Sequence, residues 1–203
     1  MQKVVWDVSM SLDGFIADSN DGLGKLFSWY FSGDTPSSFS YSNPKDSPYS
    51  RFRLSKEDAE YFDETSNEMG AMVAGRRTYD STNGWKGTYF IHVPIFVLTH
   101  EPPSEAPTGA TRFTFVTDGI ESAVSQAKAV AKDKAVGLLG ASIAKQCIEA
   151  GLLDELRVHI VPILLGSGIR LFDDGGVPVM LKRTMVMESS SGTTHIHYQV
   201  ARG

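Results

Sequence analysis

Two short stretches of this 203-residue chain have the composition of an anion site. In Met72-Val73-Ala74-Gly75-Arg76-Arg77-Thr78 a buried strand is expected to end at Gly75, with a helix starting near Thr78. Helix amino termini present unpaired N–H groups and the positive end of the dipole, so they attract phosphate. Arg76 and Arg77 add charge-assisted donors that can take a phosphate through two parallel bonds. Spacing alone also allows both to be ordinary solvated residues at a strand end. Leu139-Gly140-Ala141-Ser142-Ile143-Ala144 repeats the device of strand, small-residue turn and helix start. A pyrophosphate or a flat ring could lie against that backbone, or the small residues could serve packing alone. Leu98, Thr99 and His100 close a further strand ahead of Pro102 and Pro103. They could bond a nucleotide 2′-phosphate or form a polar loop entry. Two glycine turns of this kind fit an open α/β sheet, where ligands bind beyond the carboxyl ends of the strands.

Proton chemistry has one conspicuous candidate. Asp7 stands inside Lys3-Val4-Val5-Trp6-Asp7-Val8-Ser9-Met10, an otherwise apolar strand. A buried carboxylate must be paired or neutral, so Asp7 either relays a proton or bonds a neighbouring loop. His195 and His197 alternate on the last strand, a spacing that places both on one sheet face rather than around a metal. Other chemistries find no support. Gly166-Ser167-Gly168 gives half of a dinucleotide fingerprint, with Leu171 in the third glycine position. A Walker loop, a G-x-S-x-G elbow and the zinc deaminase signature are all missing from the chain.

The elements that must position these residues follow from pattern. Strands are predicted at about 3–10, 71–74, 94–99, 112–116, 134–140, 153–165, 180–188 and 194–201. Helices are predicted at 55–68 with Ser55 as cap, at 119–132, and from the Gly140 turn to about Ala150. Ser189-Ser190-Ser191-Gly192 reads as a hairpin turn. Strands alternate with helices and the chain closes in a hairpin, which predicts a three-layer α/β domain with a mainly parallel sheet and an antiparallel edge. Between Asp18 and Arg53 periodicity vanishes, and Phe27, Trp29, Tyr30, Phe31, Phe39, Tyr41 and Tyr49 sit among Gly, Ser and Pro. A loop this long is usually functional.

Composition narrows the classes further. With 41% hydrophobic and 21% charged residues the chain is expected to form a single globular domain over 1–203. A net charge of -5 argues against nucleic acid or anionic membrane as partner. Cys147 is the single cysteine, which suits a reducing cytoplasm and excludes a cysteine-built zinc site. No secretory leader or membrane span is expected.

The ordered series Ser11-Leu12-Asp13-Gly14-Phe15-Ile16-Ala17, 72–79, 94–99, 136–143, 151–168 and Leu171-Phe172 resembles the dihydrofolate reductase fold. It is most similar to the C-terminal reductase domain of bifunctional riboflavin deaminase–reductases and their stand-alone relatives. The resemblance spans the chain except for the 18–53 insertion. It implies an NADPH-dependent reductase, often a homodimer, that passes hydride to a small pyrimidine- or pterin-like heterocycle. Alternatives are a dihydrofolate reductase proper or a non-catalytic NADP-binding protein. Carried over, Gly75, Arg76, Arg77 and Thr78 would bind cofactor phosphates, and Leu98, Thr99 and His100 would flank the adenosine end. Leu139, Gly140, Ala141, Ser142, Ile143 and Ala144 would lie along the pyrophosphate. Ser9, Ile16 and Ala17 would approach the nicotinamide. Asp7 would face the substrate pocket, and Asp13 matches an acidic position placed near substrate in these reductases. As a turn residue, Asp13 could equally cap local N–H groups. Glu60 and Asp58 lie on the helix that carries the acid in dihydrofolate reductases. One departure is Leu139-Gly140-Ala141 where riboflavin reductases have Glu-Gly-Gly. With the aromatic insertion, it implies a flatter or more apolar substrate.

Overall fold

The computed structural model describes residues 2–18, 24–43, 45, 47–172 and 178–201. Its centre is an eight-stranded sheet in the order β5-β4-β3-β6-β1-β7-β10-β9. The strands are β1 (Val4–Ser11), β3 (Met69–Gly75), β4 (Ile95–Leu98), β5 (Phe113–Val116), β6 (Ala135–Leu139), β7 (Glu155–Val161), β9 (Leu181–Glu188) and β10 (Thr194–Val200). The first six pair in parallel, whereas β10 runs antiparallel to β7 and to β9. A two-stranded antiparallel ribbon joins β2 (Phe15–Ala17) to β8 (Ile169–Arg170). This is the three-layer, mainly parallel architecture with a closing hairpin that the sequence pattern implies.

Helices α4 (Ile120–Ala131) and α5 (Ala141–Glu149) cover one face. Their Ala123, Val124, Ala127, Ile143 and Ala144 pack with Val4 and Trp6 of β1 and Val73 of β3. The opposite face is covered by α2 (Lys56–Asn67) and α3 (Arg76–Ser81). Ser55 caps α2 as expected, its hydroxyl accepting from the Asp58 N–H at 3.1 Å.

The 18–53 stretch differs from a plain loop. It holds a turn of 3-10 helix at Ser28–Phe31, α1 (Ser38–Ser42) and a second 3-10 turn at Pro48–Arg51. Leu26, Trp29, Phe52 and Leu54 are buried and form a third core with Ala59 and Phe62 of α2 and Val161 of β7. Aromatic burial, not hydrophobic periodicity, orders this segment, which is why pattern reading finds no element there. β7 is also shorter than expected, because Pro162 cannot donate to the ladder.

Candidate active site

Three helices begin at glycine N-caps: Gly75 for α3, Gly119 for α4 and Gly140 for α5. A glycine has no side chain to bond the first N–H groups, and none of the three caps makes a side-chain hydrogen bond. All three starts converge on one hollow of about 520 Å³, lined by Gly75, Arg76, Arg77, Gly119, Ser142 and Ile143, with Leu98, Thr99 and His100 at the β4 end. The Arg76 guanidinium is held in place there. Its Nε donates to both oxygens of Asp80 at 2.8 and 2.9 Å, and one terminal nitrogen donates to the Glu101 carbonyl at 2.5 Å. Asp80 offsets part of the arginine charge while fixing its direction.

Arg77 and Ser142 line this hollow and also a larger cleft of about 1770 Å³, so the two cavities are neighbours. Thr78, Leu139, Gly140 and Ala141 line the cleft beside them, and Asp7, Ser9, Ile16 and Ala17 lie further along it. The turn at Gly140 is built for close approach. Its φ is +104°, and a Cβ added there would stand 2.5 Å from Thr78 Oγ1. The two phosphate-type corners therefore touch each other, and a group with two phosphates fits against them. The residues present fit a dinucleotide: donors for phosphate at the hollow, then a cleft with apolar and aromatic walls.

Not every expected site residue is found there. Ala144 is fully buried in the core under α5 and lines neither cavity. The side of α5 that faces the cleft carries Ala141, Ser142, Lys145 and Ile148 instead. Glu60 points to solvent, 72% exposed, 3.9 Å from Lys56; the helix register turns it away from the cleft. Asp13 also lines neither cavity. Its carboxylate accepts from the Ser11 hydroxyl at 2.6 Å, the Gly166 N–H at 2.7 Å and the Leu165 N–H at 3.1 Å. Those bonds, led by Ser11, pull its pKa down to about 2. Asp13 pins the 164–168 turn, as a capping carboxylate does.

Asp7 does face the cleft, with a side chain 36% exposed. Burial opposes its charge, but His159 and Arg157 outweigh that and hold the carboxyl below the ordinary carboxylate range. His159 Nε2 stands 2.6 Å from Asp7 Oδ1, and His159 Nδ1 stands 2.8 Å from Nδ1 of His195. His195 Nε2 in turn is 2.8 Å from Asp58 Oδ1. Asp58 is fully buried under the sheet instead of facing the cleft. Among the described residues no cluster of such side chains has metal-binding geometry.

Register explains this array. Asp7 pairs with Arg157, Ser9 with His159, His159 with His195 and Arg157 with His197 across three adjacent strands. Side chains two apart share a face, so this face carries a polar row under α2 and Trp29. Trp29 Nε1 donates to Ser9 Oγ at 3.1 Å, and its ring centroid lies 5.2 Å from that of His159. Arg157 is paired with Glu155 at 2.6 Å and Glu68 at 2.5 Å. Glu155, Arg157 and His159 are not among the residues the motifs single out. Their alternation at 155, 157 and 159, with apolar Leu156 and Val158 between them, is the signal of a polar sheet face.

The fold is dihydrofolate-reductase-like, and its glycine-turn cleft defines the class. The chain belongs to the RibD C-terminal domain family, whose model matches residues 2–195. Among solved structures it is similar to a protein from Shewanella sp. PV-4 with a provisional riboflavin biosynthesis assignment, at 20% identity, TM-score 0.70 and full coverage of both chains. It is similar to a diaminohydroxyphosphoribosylaminopyrimidine deaminase/5-amino-6-(5-phosphoribosylamino)uracil reductase from Thermotoga maritima, at 14% identity and TM-score 0.60. That match covers 98% of this chain and 57% of the other. A third is the dihydrofolate reductase of Enterococcus faecalis complexed with NADP(H) and RAB-propyl, at 13% identity, TM-score 0.53, and coverage of 98% and 97%. No curated protein matches the chain.

Proposed function

We propose that the protein is an NADPH-dependent reductase that passes hydride to a flat, pyrimidine- or pterin-like heterocycle. The observation that carries this reading is the convergence of three glycine-capped helix starts and two arginines on one hollow that adjoins the cleft at Arg77 and Ser142. The hollow would take the adenosine 2′-phosphate, the corner of Gly140 and Thr78 the pyrophosphate, and the cleft near Ser9, Ile16 and Ala17 the nicotinamide. The bound cofactor would supply the hydride. The chain's own residues would orient both rings, exclude water and deliver a proton. Trp29, Tyr30, Tyr49 and Phe52 line the cleft and offer stacking surface for a planar substrate. Kinship with the reductase half of a uracil reductase and with an NADP(H)-binding dihydrofolate reductase supports the same reading. A dihydrofolate reductase proper fits less well, since Asp58 is turned to the sheet and Glu60 to solvent.

The test is hydride consumption. Purified protein with NADPH is offered oxidised pyrimidines, pterins and dihydrofolate, and the loss of reduced-nicotinamide absorbance is followed. Oxidation with a pyrimidine or pterin and none with dihydrofolate is expected. Turnover of dihydrofolate alone, or oxidation with none of these acceptors, contradicts the assignment.

A further inference from the structure

The polar row under α2 does more than the assigned reaction requires of a core. Asp58, His195 and His159 are all buried, with His195 and Asp58 fully so. Burying several ionisable groups costs free energy that an apolar core would not. Three contacts of 2.6, 2.8 and 2.8 Å join four groups in line: Asp7, His159, His195 and Asp58. The middle contact joins two imidazole Nδ1 atoms, so it needs one proton shared between them. Three bonds therefore hold three protons, and the array carries one proton beyond those of two neutral imidazoles beside two carboxylates.

We propose that Asp58, His195, His159 and Asp7 form a proton relay that supplies the proton for reduction at the cleft. This inference rests on the hydride-transfer reading above. The acceptor ring gains a hydride at carbon from the reduced nicotinamide and a proton at nitrogen from Asp7, so it takes up two electrons and two hydrogens. The proton reaches Asp7 by two short steps, from His195 Nδ1 to His159 Nδ1 and from His159 Nε2 to Asp7 Oδ1, while the Asp58 carboxylate holds the remaining Nε2–H of His195. Asp7, partly exposed in the cleft, turns its carboxyl over to present the proton. A proton taken up from the cleft at Asp7 then reverses the two shifts and restores the starting tautomers. At the far end Asp58 is fully buried, and the Ser189 and Ser191 hydroxyls of the β9–β10 turn favour its charged form. Trp29 and Tyr61 seal the middle, with ring centroids 5.1 and 4.3 Å from His195. The surrounding charged and titratable groups are Arg157, Glu155, His197, Tyr61 and Glu68, of which Arg157 is already ion-paired and Tyr61 bonds His197 at 2.7 Å. They frame the relay without bridging its steps.

His195 and Asp58 do not touch the cleft, so they act as positioning residues through Asp7. The test uses the full chain carrying Asp58→Asn, with His195→Gln as the second variant where the first fails to fold. Reduction in a single turnover should slow by about 100-fold, the range of positioned proton transfer, while NADPH affinity stays within about twofold. Small acids such as formate, which can reach Asp7 through the cleft, should restore part of the rate. Wild-type rates in both variants, or a slow rate that formate leaves unchanged, would overturn the relay. A second readout needs no turnover: nitrogen NMR of isotope-labelled histidines. Because the protons are shared, Asp58→Asn should change the tautomer signals of His159 as well as those of His195. An unmoved His159 overturns the relay even where hydride transfer is normal. Coupled histidine signals in a protein that reduces nothing would instead sink the reductase reading alone.

Discussion

A methyl group at residue 140 would stand 2.5 Å from Thr78 Oγ1, on a backbone already at φ +104°. Both penalties fall at the point where the two corners proposed to bind the cofactor phosphates meet. Gly140→Ala should destabilise the fold by about 1–3 kcal/mol and weaken NADPH binding more than tenfold; denaturant unfolding and a cofactor titration check both. An alanine tolerated on both counts would detach the corner from cofactor binding. Asp7 poses the matching question for chemistry. Asp7→Asn keeps the shape but removes the acid, so turnover should drop by about 100-fold or more with cofactor affinity unchanged, measured by steady-state kinetics and binding side by side. The acids least legible in the sequence are those whose partners are remote along the chain. Asp13 reads as a turn residue from Ser11-Leu12-Asp13-Gly14, but its second set of bonds lies at Leu165 and Gly166. Asp58 and Glu60 are two positions apart on one helix and face opposite environments, a difference of helix register that composition does not carry.

At the scale of elements, the parallel core, the two glycine corners and the closing hairpin were legible because each is written locally, in apolar runs and turn residues. The 24–54 segment was not. Its order comes from ring packing such as Tyr30 on Phe52, stacked with centroids 4.9 Å apart, and from Trp29 wedged over the sheet. Rings that find their partners through tertiary contacts leave no period of 2 or 3.6. Trp29 ties this segment to β1 through Ser9 and to β7 and β10 through the two histidines. Trp29→Ala should therefore cost about 3–5 kcal/mol of stability, read from the denaturant midpoint, and should let water reach His159. A loss below about 1 kcal/mol would mean that the aromatic segment is only lightly attached to the sheet. The row on β1, β7 and β10 needed register as well as alternation. Each strand shows its polar positions in sequence, but only pairing brings Asp7, His159 and His195 together.

Over the whole molecule, a net charge of -5 means that the proposed phosphate site depends on local arrangement, three helix starts with Arg76 and Arg77. No helix among the described residues is long and apolar enough to cross a membrane. The buried polar row makes global stability depend on pH. Burial, followed by the charge of Arg157, pushes His197 down to about 4. The unfolded chain then binds protons near the ordinary imidazole value of about 6.5 that the folded chain refuses. Stability should be full above that value and fall as pH drops from about 6.5 to about 4, by on the order of 2 kcal/mol for His197 alone. Asp7, Asp58 and Glu155, all held below the usual carboxylate range, add their losses at still lower pH. Thermal unfolding across this range checks it, and a constant midpoint between about pH 7 and pH 4.5 would place that imidazole in contact with solvent. The glycine corners and the arginine pair are proposed to hold a phosphorylated dinucleotide. Equilibrium titration of the protein with NADPH and with NADH, followed by nicotinamide fluorescence, tests it most directly. Tight binding with strong preference for NADPH is the expected result. Binding of neither would reduce the corners to structural turns and remove the reductase.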